Sequence, residues 1–291
     1  MKKMRDYRFN PSVMLNTAFS MFNGSKKKKT IAVEGLNDER FFNQWFGDSD
    51  KVRFTVAGNK ENVVELYNKY LNHPSRSKNN IFFSVDLDWD VVHSKNLPAK
   101  DYFLCNSFCL DTNSFHYNDM ESFLVNTGAL KKILASYDID FTKINLPSLL
   151  SSMEEASRCV GKYKAADDII KNKLQLRSSI LNGLHAVDYF DAELFSINED
   201  ALQKNLPQWS NYKHHVDDLI EEALSLDKKV PTKWALSRGH DITSMLAAYI
   251  EFKSDIRVTP EKIEGQLRLS CELSEFKNTP MYLKMIRENL I

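Results

Sequence analysis

The sequence predicts an α/β protein, a parallel sheet with helices on both faces, followed by an all-α C-terminal region. Three observations carry this expectation. Strand-like and helix-like patterns alternate between residues 30 and 140, as βαβ units require. The run 81–85 is apolar except for Ser84, as in a strand covered on both faces. From about residue 146 only helical periodicities recur. The expected domains are a basic segment 1–29, an α/β unit 30–140 and a helical domain 141–291.

The chain has 291 residues, 43% hydrophobic and 27% charged, which is ordinary globular composition. Its formal net charge is zero, so nucleic-acid binding would need a local patch rather than bulk attraction. No apolar run reaches transmembrane length, and the start lacks the apolar core of a signal peptide. The four cysteines, Cys105, Cys109, Cys159 and Cys271, form no Cys-x-x-Cys pair and read as reduced core thiols of a cytoplasmic protein.

The opening segment carries a short amphipathic pattern at Val13, Met14, Ala18, Met21 and Phe22. It closes on Lys26, Lys27, Lys28 and Lys29. That run reads as a solvated loop or as a phosphate-steering patch beside the site.

Residues 30–33 read as the first strand, being mostly apolar and partly β-branched. Glu34 then stands at its C-terminal tip. Gly35 permits a sharp turn. Asn37 or Asp38 can cap the next helix, whose apolar face is Phe41, Phe42, Trp45 and Phe46. In open α/β sheets ligands bind at this carboxyl edge. Residues 52–56 alternate as a second strand, Gly58 and Asn59 turn the chain, and a helix runs from Lys60 to about residue 71.

The strand at 81–85 leads directly into Asp86, Leu87, Asp88, Trp89 and Asp90. Extended geometry places Asp86 and Asp88 on one side, roughly 7 Å apart. If the two strands are neighbours, Glu34, Asp86 and Asp88 converge, and hard divalent ions such as Mg²⁺ or Mn²⁺ relieve the resulting repulsion. Such ions serve phosphoryl chemistry by orienting oxygens and activating water. A fourth strand is expected at 101–105, and a helix reaching about residue 135. Asp119 and Glu121 stand just before it, where Glu121 is either an N-terminal helix charge or a further acid of the site.

In the C-terminal half, helices are expected at 149–164, 166–173, 200–206, 214–226, 241–252, 260–273 and 280–290. Arg238, Gly239, His240 and Asp241 precede one of them. Asp241 can cap it, while Arg238 and His240 can reach a phosphate or the acidic site. His214 and His215 are adjacent rather than i, i+4 spaced, which does not suit a shared metal on one helix face. Trp209, Tyr212 and Trp234 look exposed.

Glu34 followed by Asp38, with Asp86 and Asp88 about fifty residues later, resembles the Toprim family of topoisomerases, primases and OLD-type nucleases. The resemblance covers about residues 30–125. It implies a Toprim-like sheet, catalytic Glu34, Asp86 and Asp88, and metal binding by Glu34, Asp38, Asp86, Asp88, Asp90 and Glu121. Two stretches, Asp119 to Leu124 and Arg238 to Asp241, resemble a narrower group with a helical C-terminal region. It includes the AriB-type effectors of the PARIS anti-phage system. That resemblance implies an RNA-cleaving toxin, with tRNA the first candidate substrate. It also implies restraint by an ABC-type ATPase subunit of the AriA kind, and a homodimer when active.

Lys60, Arg238, His240 and the lysine run are the candidate substrate-binding residues. No P-loop and no zinc-ribbon spacing occur, so any ATPase activity belongs to a partner. The other readings are an OLD-like DNA nuclease, a phosphatase resembling haloacid dehalogenases and a non-catalytic interaction protein. The phosphatase reading is weakened by Asp90, where that family usually carries Thr or Val after its Asp-x-Asp.

Overall fold

The computed structural model describes residues 10–25, 27–76, 79–93, 103–105, 108–109 and 114–291. The chain divides into two compact units: residues 1–87, 96–110 and 273–291 form the first, and residues 88–95 and 111–272 the second. The segments expected from the sequence are cut after residues 29 and 140 instead. Alternating patterns show where elements lie but not that the chain leaves a unit and returns to it.

The first unit is built on a four-stranded parallel sheet of β1 (Lys29–Val33), β2 (Val52–Val56), β3 (Ile81–Val85) and β4 (Phe103–Cys105), in the order β2-β1-β3-β4. Every residue of β3, one of the two central strands, is buried. Ile31 aligns with Phe54 on one side and Phe82 on the other, so these three share a face.

On the opposite face, Ala32, Ile81, Phe83 and Phe103 pack with α1 (Pro11–Asn23), through Leu15 and Phe19, and with α3 (Lys60–Leu71), through Leu66 and Tyr70. Helix α1 follows Asn10, whose side chain accepts from Ser12 and Val13. On the Phe54 face lies α2 (Leu36–Phe46), with Phe42 stacked on Phe54 at 5.0 Å between ring centres. Phe276 packs against Phe41, Phe42 and Trp45 at centroid distances of 5.4, 6.0 and 5.4 Å. It comes from the returning segment, which carries two short helices, Leu273–Lys277 and Pro280–Arg287.

The second unit is mainly helical. The expected helix reaching about residue 135 is two, α4 (Met120–Val125), which already includes Glu121, and α5 (Gly128–Ser136), because Thr127 caps a fresh start by accepting from Ala129. The expected pair at 149–164 and 166–173 is one long helix, α6 (Leu146–Leu174). One further expectation fails. A small antiparallel pair, β5 (Phe190–Asp191) and β6 (Ser196–Ile197), lies in the half read as all-α, and strands of two residues leave no periodicity to detect. The remaining helices are α7 (Glu199–Trp209), α8 (Val216–Lys229), α9 (Gly239–Ser254) and α10 (Pro260–Ser270).

The stretch 230–238 is fastened along α6 by a row of contacts. Arg158 donates to the carbonyls of Val230 at 2.8 Å and Thr232 at 2.5 Å. Glu154 accepts from Trp234 N–H at 3.0 Å, and the Ser157 hydroxyl bonds that of Ser237 at 2.6 Å. Gly161 lies directly under the Leu236 carbonyl, leaving no room for a Cβ. Trp234 is therefore buried, not exposed, while Trp209 and Tyr212 are half-buried. Among the described residues, no helix is long and apolar enough to cross a membrane. Cys109, Cys159 and Cys271 are free thiols.

Candidate functional site

Two acids stand at the carboxyl edge of the first unit. Glu34 follows β1 and Asp86 follows β3, and these strands are neighbours in register. The Asp86 N–H donates to Glu34 Oε1 at 2.7 Å, which fixes the Glu34 side chain against the next strand tip. The Glu34 carbonyl accepts from Gly58 N–H at 2.8 Å, tying the same tip to the end of β2. Lys60 Nζ donates to the carbonyls of Asp86 at 2.7 Å and Leu87 at 3.3 Å. Lys60 thus holds the chain just after the strand and brings a cation to this edge.

Asp38 is buried and differs from its expected role. Helix α2 starts at Leu36, so Gly35 is the N-cap and Asp38 the third residue of the first turn. Its Oδ2 reaches back to accept from Gly35 N–H at 2.8 Å. That is half of a capping box, reached from inside the helix rather than from its cap position.

The extended spacing expected for Asp86 and Asp88 does not occur. The strand ends at Val85, and Asp88 takes a left-handed backbone with φ of 47°. The division between the two units falls at this point of the chain. Within the second unit Asp88 N–H donates to the Asn118 carbonyl at 2.9 Å. Asp90 is half-buried in the turn that follows.

The second unit gathers its own acids around the start of α9. Asp119 is the N-cap of α4 and is buried. Its Oδ1 accepts from the Ser122 N–H at 2.9 Å and hydroxyl at 2.5 Å. Its Oδ2 accepts from Gly239 N–H at 2.6 Å. Asp119 therefore caps two helices at once. Arg238, the N-cap of α9, supplies no side-chain cap bond. Asp241 does not cap either, since its carboxylate meets Lys164 Nζ at 2.6 Å. A Cβ on Gly239 would stand 2.5 Å from Glu121 Cβ and 2.6 Å from Asp119 Oδ1, so only glycine fits there.

Glu121 Oε1 lies 3.4 Å from Arg268, and His240 Nδ1 lies 3.1 Å from Glu264 Oε1. Burial, then the neighbouring Asp119 and Glu264 charges, push the Glu121 carboxyl up to about 8, against a hydrogen bond from its own backbone N–H and the Arg268 charge. The bond to Glu264 raises the pKa of His240. Burial raises that of Asp119 despite its three donors, with Asp88 adding repulsion.

Glu121 holds its proton more tightly in the folded chain than its ordinary value of 4.5, so stability should fall as pH rises from about 4.5 to about 8. Glu121→Gln should melt higher than the wild type above pH 8 and lose that advantage toward pH 4.5. Parallel melting profiles against pH for the two proteins would count against a buried, proton-holding Glu121.

The lysine run is not beside the acids. Lys26 lies outside the described residues. Lys27, Lys28 and Lys29 enter β1 at its amino end, so the whole strand, about 16 Å at roughly 3.3 Å per residue, separates them from Glu34. Lys29 is also engaged, donating to the Glu288 carbonyl at 2.8 Å, and burial lowers its pKa. A parallel sheet puts the two ends of one strand on opposite edges, and this overturns the patch reading.

Among the described residues, no three His, Cys, Asp or Glu side chains are grouped to hold a metal ion. The set Glu34, Asp38, Asp86, Asp88, Asp90 and Glu121 is therefore not one preformed cage. Asp38 is spent on a helix start and Glu121 faces Arg268. Glu34 and Asp86 still suit a hard cation, because Mg²⁺ is usually held by one or two carboxylates, with waters and substrate phosphates completing the shell. Sequence reasoning missed Lys164, Glu264 and Arg268, whose pairings join distant segments and leave no local signal. Comparison with known proteins finds no match to a family model, a curated protein or a solved structure.

Proposed function

We propose that the chain is a Toprim-type, Mg²⁺- or Mn²⁺-dependent nuclease. The observation that carries this reading is the Glu34 and Asp86 pair, acids at the tips of neighbouring parallel strands joined by a 2.7 Å hydrogen bond. Glu34 and Asp86 would hold the cation, and the sequence resemblance implies Asp88 as a third catalytic acid. Bound there, a divalent cation would polarise a phosphodiester and lower the pKa of a water. The protein's own contribution is positional. Asp86 N–H orients Glu34, Gly58 N–H anchors the strand tip, and Lys60 holds the Asp86–Leu87 main chain. Lys60 also offers positive charge for a substrate phosphate.

The narrower sequence resemblance extends the proposal. The substrate is RNA, with tRNA the first candidate, and the chain is the toxic effector of an anti-phage abortive-infection system. An ABC-type ATPase subunit restrains it, and it acts as a homodimer once released. The runner-up is an OLD-like DNA nuclease on the same acids.

The test is one panel. The pure chain is incubated with Mg²⁺ or Mn²⁺ and labelled tRNA, plasmid DNA or p-nitrophenyl phosphate, alone and with a co-purified ABC-type ATPase. Cleaved tRNA with intact plasmid is the expected result. Broken plasmid with intact tRNA favours the DNA nuclease, release of p-nitrophenol the phosphatase, and inertness under every condition an interaction protein.

A further inference from the structure

The second unit contains a pocket of about 260 Å³ that the acids above do not use, lined by Trp89, Lys164, Asp167, Asp168, Ser179 and Arg238 among others. Most of its charged lining is already committed. Lys164 meets Asp241 at 2.6 Å. Asp167 accepts from Ile180 N–H at 2.7 Å and Leu181 N–H at 3.1 Å. Asp168 stands 3.3 Å from His93 Nδ1. Arg238 is different: it is exposed, and among the described residues its guanidinium makes no hydrogen bond or ion pair.

A smaller cavity of about 20 Å³ shares Trp89 and Arg238 with this pocket and is also lined by Asn118, Asp88 and Asp119. Asn118 is 1% exposed, and its amide orientation is settled by three carbonyls, of Trp234, Ala235 and Ser237, within 3.3 Å of Nδ2. Its Oδ1 consequently faces away from them and has no partner among the described residues. Trp89 Nε1 is likewise buried, with no hydrogen bond among the described residues. Buried polar atoms of this kind are costly unless something completes them. The larger pocket therefore combines an aromatic residue with one uncommitted cation, and Trp89 and Asn118, residues of the two cavity walls, each carry a buried polar atom with no partner among the described residues. Trp89 also follows Asp88 directly in the chain.

We infer that this pocket takes one nucleotide unit of a single-stranded RNA, with the base against Trp89 and its phosphate at Arg238. Unpaired bases are recognised by stacking on aromatic side chains, and Arg binds phosphate through a planar fork. The volume lies just below the range of about 300–1,000 Å³ typical for drug-sized ligands, which suits one nucleotide rather than a dinucleotide cofactor. Asp167 and Asp168 in the wall disfavour a polyphosphate, so one phosphodiester is the matching charge. The inference deepens the nuclease reading and rests on it for the choice of polymer.

The experiment measures binding of a labelled, mixed-sequence, single-stranded oligoribonucleotide to the full chain in EDTA, where metal-dependent cleavage is silent. Arg238→Ala and Trp89→Leu should each raise Kd about tenfold or more, the range expected for loss of one stacked base. Trp89→Phe should recover most of the loss, and Lys229→Ala, an exposed charge outside the pocket, should leave Kd within about twofold of wild type. Each variant is checked for wild-type melting, and the exposed Arg238 change keeps the test valid if Trp89→Leu unfolds. Unchanged affinity in Arg238→Ala, an equal loss in Lys229→Ala, or no RNA binding by the wild type overturns the inference. Pocket-dependent binding without cleavage in Mg²⁺ or Mn²⁺ would instead sink the nuclease reading and leave this one standing.

Discussion

Glu34→Gln should lower metal-dependent RNA cleavage by about 100-fold or more, the equivalent of roughly 3 kcal/mol of transition-state stabilisation. The substitution removes the charge while keeping a carbonyl oxygen able to accept from Asp86 N–H, the bond of 2.7 Å that orients the side chain. The melting temperature should therefore stay at the wild-type value, which separates a chemical role from a structural one. Acids collected at a strand tip repel each other, so neutralising one does not weaken the core. Under the proposed function, toxicity of the released effector should vanish with the activity. A Glu34→Gln chain that cuts RNA in Mg²⁺ at the wild-type rate would remove Glu34 from the site and, with it, the main support for the nuclease reading.

Gly161→Ala should be the most damaging small substitution in the second unit. Within a helix, Ala normally gains up to about 1 kcal/mol over Gly. At this position a Cβ would stand 2.9 Å from the Leu236 carbonyl carbon and closer still to its oxygen, and the obstacle is backbone that cannot rotate aside. Overpacking typically costs about 1–3 kcal/mol, so a net loss near 2 kcal/mol, or roughly 4–8 °C in Tm, is expected. Displacing Leu236 also shifts Ser237 and Arg238, so oligoribonucleotide affinity should fall with stability.

Gly265→Ala is the control with the opposite sign. Its nearest neighbour for a Cβ is the Arg268 side chain at 3.9 Å, so the ordinary gain of about 0.5–1 kcal/mol should appear. Calorimetry on the two variants checks both directions, and a Gly161→Ala chain as stable as the wild type would show that α6 and the 230–238 stretch are not locked as described.

The legible part of this protein is the part governed by neighbours in sequence. The apolar run at 81–85, the alternation at 52–56 and the acids placed directly after strands all give local patterns, and the sheet follows them. Asp119 could be suspected from its place before a helix. Its second bond, to Gly239, could not, because the two residues lie 120 positions apart. The same holds for Glu121 with Arg268, 147 positions apart.

The error at Lys27 to Lys29 is of another kind. Closeness in sequence to Glu34 was read as closeness in space, whereas a five-residue strand carries the chain from one sheet edge to the other. Trp234 was misread because an aromatic flanked by turn residues looks exposed, yet Glu154 and Asn118 hold its backbone inside. Trp89 stood in plain view within the acidic motif. Its weight comes only from the pocket it lines.

Phe276, packed among Phe41, Phe42 and Trp45, has a consequence for how the chain is made. A ribosome delivers the sheet and its acids first, then the whole of residues 111–272, and only afterwards the 273–291 segment that completes the first unit. The emerging acidic edge thus waits while residues 111–272 are made, with α2 missing Phe276. Domains generally fold in the order they emerge, but here the earliest-made unit matures last. Under the proposed function, the Glu34 and Asp86 edge would stay incomplete until Phe276 emerges, after the whole of residues 111–272.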